Sequence, residues 1–180
     1  HDIRLISEDG KELPPGEIGE VVGHSGAMMV GYHDQPEKTR EAEWYDDTGK
    51  RFIRTGDVGR FDEDGFLTLM DRKKDMIISG GFNIYPSDLE AVLFAHDDIH
   101  DATVIGVPSE EWGETPVAYI VPWPDTQIDL PALKDWFADR VGKTQRLADI
   151  VVTDSLPRSA IGKVLKRELR VKYQEDSAAS

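Results

Sequence analysis

The hydrophobic pattern changes character near residue 73, and that change restricts the chain to folds in which a β-rich segment precedes a mixed one. Up to about residue 72 the apolar residues come in short runs. Ile3 and Leu5 are followed by Ile18, Val21 and Val22, parted by Glu8-Asp9-Gly10 and Pro14-Pro15-Gly16, both turn formers. Residues 51–53, 57–61 and 65–70 continue the series, with Thr55-Gly56-Asp57, residues 62–65 and residues 71–75 expected as the breaks between them. Residues 36–43 alone read as helix here, with Pro36 in the first turn and glutamates mixed with lysine and arginine. This half is expected to be antiparallel β.

Beyond residue 73 strands and helices alternate. Residues 76–79 and 82–85 flank Gly80-Gly81, which suits a hairpin whose turn needs positive φ. Residues 86–96 open with Pro86 and Ser87 and set Leu89, Val92 and Leu93 at helical spacing. Residues 100–107 and 115–122 read as strands, 130–141 as an amphipathic helix, 149–154 as a strand and 164–173 as a last helix, with 175–180 a frayed tail. The expected fold class is α+β: a β-rich body over residues 1–72, then a small sheet with packed helices over 73–180. There is no internal repeat.

Composition excludes several functions. The 180 residues include 35 acidic and 21 basic side chains, a formal net charge of −14, which argues against an overall grip on nucleic acid or an anionic membrane. Without cysteine there is no disulfide framework, thiolate zinc site or cysteine nucleophile, so any thioester made here takes its sulfur from an external thiol. No apolar run approaches the roughly 18 residues of a membrane span, and the opening residues lack a basic and then apolar leader, so a cytoplasmic location is the expectation. The chain starts on His1, already in a strand pattern, and is expected to be a piece of something longer. Charge is uneven: residues 73–129 hold 2 basic and 11 acidic side chains, residues 130–180 hold 10 basic and 7 acidic, so an anionic ligand would find its partners in the last third.

Two suggestive patterns fail on spacing. Gly142-Lys143-Thr144 resembles the end of a phosphate loop, but the glycine required five residues before Gly142 is Phe137. His96 and His100 are four apart, yet Asp97 rather than glutamate follows the first, against the zinc-protease pattern, and solvated side chains are expected. Trp136 and Phe137, mid-helix, are expected in the core.

Three segments carry chemistry in combination: residues 51–67, 71–90 and 156–169. Taken singly each has a plain structural reading. Asp57 after Thr55-Gly56 caps a turn, Lys73 and Lys74 form a solvated linker, and Gly162-Lys163 is a loop entering a helix. In this order and spacing, however, the chain resembles the adenylate-forming superfamily, within it most closely the fatty-acyl and aryl-CoA ligases. The resemblance covers nearly the whole chain. It implies the β-rich end of a large N-terminal AMP-binding domain followed by a small mobile C-terminal domain; the family's Ser/Thr/Gly-rich phosphate loop, its aromatic-Gly-x-Thr-Glu motif and most of its acyl pocket have no counterpart in these residues.

The resemblance also implies roles. Asp57 would accept hydrogen bonds from the ribose hydroxyls of the nucleotide and Arg72 would add a donor to the same sugar. Lys74 falls at the hinge about which the C-terminal domain turns between two catalytic states. Lys163 is the catalytic lysine of the last motif, neutralising charge as a carboxylate attacks the α-phosphate of ATP, with Mg2+ sharing the work. Gly81 would line the tunnel for the pantetheine arm of CoA, Lys143 and Arg146 would meet its phosphates, and Trp112 would pack on its adenine, although a half-buried aromatic at a strand edge is an equal reading of Trp112. Asp71 agrees with the family pattern, whereas Ile161 stands where many relatives carry a small residue.

The implied reaction is that of an AMP-forming acyl-CoA synthetase, with ATP, CoA and a small carboxylic acid as partners and the missing N-terminal domain completing the site. An adenylation domain loading a carrier-protein thiol, and an interaction module that kept the fold without the reaction, remain alternatives. The 180 residues by themselves are expected to be inactive, for want of the phosphate loop and acid pocket.

Overall fold

The computed structural model describes residues 1–178. Their contacts divide into two units, one from His1 to Lys74 and the other from Asp75 onward.

In the first unit five strands form one antiparallel sheet: β1 (Asp2–Ile6), β2 (Ile18–His24), β3 (Glu43–Tyr45), β4 (Arg51–Phe61) and β5 (Leu67–Arg72), in the order β1-β2-β4-β3 with β5 also on β4. β4 is long enough to serve two partners in succession, β3 along Arg51–Ile53 and β5 along Asp57–Phe61. Ile6, Val22, Trp44 and Phe52 make the core of this unit, with the Trp44 and Phe52 rings edge to face at 5.2 Å. The indole N–H of Trp44 is satisfied by the carbonyl of Gly10 at 2.8 Å.

Two local expectations are corrected here. Thr55-Gly56-Asp57 does not break the strand. It lies inside β4 as a bulge, since β2 moves from Glu20↔Val58 to Val22↔Arg54 across it, and Gly56 supplies the positive φ of +73° that the extra residues require. The helix α1 (Pro36–Glu41) is shorter than the pattern promised, because Glu43 already begins β3, a strand of three residues with a single buried side chain, Trp44.

The second unit contains β6 (Ile77–Ser79), β7 (Phe82–Ile84), α2 (Pro86–Phe94), β8 (Ile99–Ser109), β9 (Gly113–Pro122), α3 (Leu130–Ala138), β10 (Asp149–Val152) and α4 (Lys166–Ala178). β8 and β9 form a long antiparallel hairpin, β10 runs parallel to β9 after the α3 crossover, and the β6–β7 hairpin joins β9 at Gly113. Helices cover both faces, which is why β8 and β9 read as nearly continuous apolar runs. Ala102, Val104, Ala118 and Ile120 point to the side of Leu89 and Leu93 of α2 and Leu133 and Phe137 of α3. The alternate residues Ile105, Val107, Val117 and Tyr119 point to the other side, with Leu169 of α4.

The last helix begins two residues later than its apolar pattern and runs to Ala178, so the expected frayed tail is helical through that residue; Ala179 and Ser180 lie outside the described residues. Phe137 is buried, and Trp136 is partly buried against the same core, its ring edge-on to His96 at 4.7 Å. No helix among the described residues is long and apolar enough to cross a membrane.

Candidate active site

In the first unit the β4 bulge positions Asp57. Thr55 donates its hydroxyl to the carbonyl of Val21 at 2.8 Å and accepts from the Asp57 N–H at 3.1 Å, so the bulge is pinned to β2 at its crest. The β4–β5 register then places Arg72 directly opposite Asp57, and the side chains meet, Nε to Oδ1 at 3.0 Å. Both remain partly open to solvent, 32% for Asp57 and 52% for Arg72, so a ligand can reach them. Two residues fifteen positions apart in sequence thus form one carboxylate–guanidinium pair on adjacent strands.

Sequence reasoning missed Glu20 beneath this site. Its carboxylate is 8% exposed and one oxygen accepts from both Arg54 Nη1 and Lys73 Nζ, each at 3.0 Å. The available signal was a lone acid flanked in β2 by Ile18, Val21 and Val22, since a buried charge demands partners. Lys73 is therefore committed to its own unit. Lys74 follows it in a short 3-10 turn, Lys73–Asp75, and is exposed. On the other side Asp75 is held by Arg170 of α4 at 3.0 Å, so each neighbour of Lys74 is fixed within a different unit.

In the second unit Lys163 projects from a small closed loop. Arg158 and Val164 pair across its base, the Ser159 N–H donates to the Lys163 carbonyl at 2.8 Å, and the Gly162 N–H donates to the Ser159 carbonyl at 2.8 Å. Gly162, at φ +82°, makes the reversal, and Lys163 is exposed immediately after it. Ile161 at the tip is 79% exposed and packs into no core.

The same unit gathers three of the residues tied to CoA by resemblance. Trp112, Lys143 and Arg146 line one open cleft of about 500 Å³, together with Ser79. Lys143 belongs to a 3-10 turn, Lys143–Gln145, after which Arg146 turns back to extended backbone. Trp112 lies over the β6–β7 turn, where its carbonyl accepts from the Gly80 N–H at 2.8 Å. Gly81, at φ +82°, sits at the tip of that turn and does not itself line the cleft.

Among the described residues no three His, Asp or Glu side chains converge as metal ligands do.

Residues 88–163 match the AMP-binding enzyme C-terminal domain. The chain is 42% identical over 165 residues to the 2-succinylbenzoate–CoA ligase of Geobacillus kaustophilus, covering 92% of this chain and 33% of that protein. It is 39% identical over 175 residues to the fatty acid–[acyl-carrier-protein] ligase ScoC of Streptomyces coeruleorubidus, covering 97% of this chain and 33% of that protein. Among solved structures, ATP-bound MatB from Rhodopseudomonas palustris superposes with a TM-score of 0.88 at 35% identity, over 96% of this chain and 34% of that one. The chain thus spans about a third of the length of the relatives it matches. With this fold, these motifs and these relatives, the chain belongs to the adenylate-forming enzymes and corresponds to their C-terminal portion.

Proposed function

We propose that the polypeptide carrying this chain is an AMP-forming acyl-CoA synthetase, with residues 1–72 ending its N-terminal domain and residues 73–180 forming its mobile C-terminal domain. In the first step an oxygen of a fatty or aryl carboxylate bonds to the α-phosphorus of ATP as the bond to pyrophosphate breaks. In the second the CoA sulfur bonds to the acyl carbon, AMP leaves with the electron pair, and the thiol proton passes to solvent. The observation that carries the reading is the cleft with Trp112 beside Lys143 and Arg146, because an aromatic face next to two cations suits a base and phosphates together.

The other residues fit the same scheme. Asp57, held by Arg72 across the strand pair, offers a fixed carboxylate to ribose hydroxyls, and Arg72 offers the complementary donor. Lys163 brings an ammonium on an exposed loop to the negative charge that grows on phosphate oxygens. Lys74, between two anchored neighbours, is where a rotation of one unit can be absorbed. Mg2+ entering with ATP would supply Lewis-acid charge at the phosphates, beside the ammonium of Lys163.

A second reading has specific support: the 39% identity to a fatty acid–carrier-protein ligase nearly equals that to a CoA ligase, so a carrier-bound phosphopantetheine is the rival acceptor. The complete polypeptide, given ATP, a panel of carboxylic acids and either CoA or a phosphopantetheinylated carrier protein, separates the two. Thioester on free CoA is the expected result. Transfer to the carrier alone selects the second reading, and absence of acid-dependent pyrophosphate exchange overturns both in favour of an interaction module.

A further inference from the structure

The loop that carries Lys163 is tied to the sheet of its unit through one guanidinium. Arg158 Nη1 donates to the carbonyl oxygen of Gly162 at 2.7 Å, and Nη2 reaches Asp101 Oδ2 at 2.5 Å. That carbonyl belongs to the peptide bond joining Gly162 to Lys163, so Arg158 grips the backbone at the lysine's own amide. Asp101 is itself fixed: it lies on β8 where the pairing with β9 shifts register, and its other oxygen accepts from the Ala102 N–H at 3.0 Å. Beyond Lys163 a second tie runs from Lys166 to Glu90 at 2.9 Å, and Glu90 is locked by Thr103 Oγ1 and the Val104 N–H, both at 2.9 Å.

We propose that Arg158 is a positioning residue for Lys163: with Asp101 it fixes the Gly162–Lys163 peptide against β8, so that the ammonium reaches the reacting phosphate from a defined base. This rests on the role given to Lys163 above. The hydrogen bonds inside the loop set its shape, whereas the Arg158–Asp101 link sets its orientation to the sheet. A lysine side chain is flexible, and a displacement of about 1 Å at the reacting centre costs up to roughly 100-fold in rate. An arginine suits the task because its planar fork holds a carbonyl and a carboxylate at once, which a single ammonium does less well.

The test uses the complete polypeptide with Arg158→Met, Asp101→Asn and the double substitution. Adenylate formation should fall roughly ten- to hundredfold in kcat, with KM for ATP and acid within about twofold. Conversion of supplied acyl-adenylate and CoA to thioester should keep its rate. The double variant should be no slower than Arg158→Met, since both break one link, and Arg158→Lys should recover part of the loss. Amide exchange over residues 159–164 should quicken in Arg158→Met. Equal losses in both half-reactions, additive losses, or full-rate adenylation overturn the proposal. If the unsubstituted protein forms no adenylate with any acid, the functional reading falls, and exchange over 159–164 then decides the tie by itself: no change on substitution overturns it. Should Arg158→Met fail to fold, the near-isosteric Asp101→Asn carries the same measurements.

Discussion

Gly80 and Gly81 both have positive φ, +57° and +82°, yet a side chain would meet different surroundings at each. A Cβ at Gly80 would come within 2.9 Å of the Trp112 ring, whereas one at Gly81 meets nothing within 4 Å. Gly81→Ala should therefore cost only the left-handed penalty, about 1 kcal/mol. Gly80→Ala should add overpacking of about 1–3 kcal/mol, part of it relieved by Trp112→Ala. Urea unfolding of the three variants reads the difference directly, and equal midpoints for the two glycine variants would show that Trp112 does not rest on the turn. At Lys163 the expectation is kinetic. Lys163→Ala should lose about 3–4 kcal/mol of transition-state stabilisation in adenylate formation, while thioester formation from supplied acyl-adenylate survives. Assaying the half-reactions separately checks this, since equal losses in both contradict a role confined to the first.

At the level of elements, β1 supplies a pH-dependent edge. Asp2 accepts hydrogen bonds from Arg4 and Lys50, which hold its carboxyl well down, to about 2. Because the folded value lies below the ordinary 3.8, the stabilisation is complete above about pH 4 and is lost as pH falls toward 2. Asp2→Asn should flatten the stability profile in that window and leave neutral pH lower by a small, salt-sensitive amount, as suits a pair partly open to solvent. Elements were legible from sequence where two cues agreed. The β6–β7 hairpin had apolar runs around paired glycines, α2 had proline at its start with helical spacing behind it, and Asp57, Arg72, Lys74 and Lys163 were visible as members of ordered motifs. What escaped was non-local. Thr55-Gly56-Asp57 has the composition of a turn, and only a partner strand makes it a bulge within β4. Glu20 stood out only as a lone acid in β2, and its two cationic partners, 34 and 53 positions away, could not be read from local spacing. The Arg158–Asp101 link spans 57 positions and left no trace in local spacing.

At the scale of the whole molecule the division at Lys74–Asp75 makes a prediction about cleavage. Lys73 is engaged by Glu20 and Asp75 by Arg170, while Lys74 is exposed between them. Brief trypsin treatment should cut first after Lys74 and release two folded pieces, whereas cleavage confined to the termini would count against a hinge there. The two-sided burial of β8 and β9 has its own consequence for how much error the second unit tolerates. Beyond the register shift that follows Ile99, odd-numbered positions feed one core and even-numbered positions the other, on both strands at once. Inserting one residue into β8 would exchange the two cores along everything downstream of it and drive Thr103 and its neighbours to the wrong side, while inserting two would restore the sides at the expense of a kink. Length change in this strand is thus governed by parity: a single added residue should abolish cooperative unfolding of the unit, and a pair should preserve it.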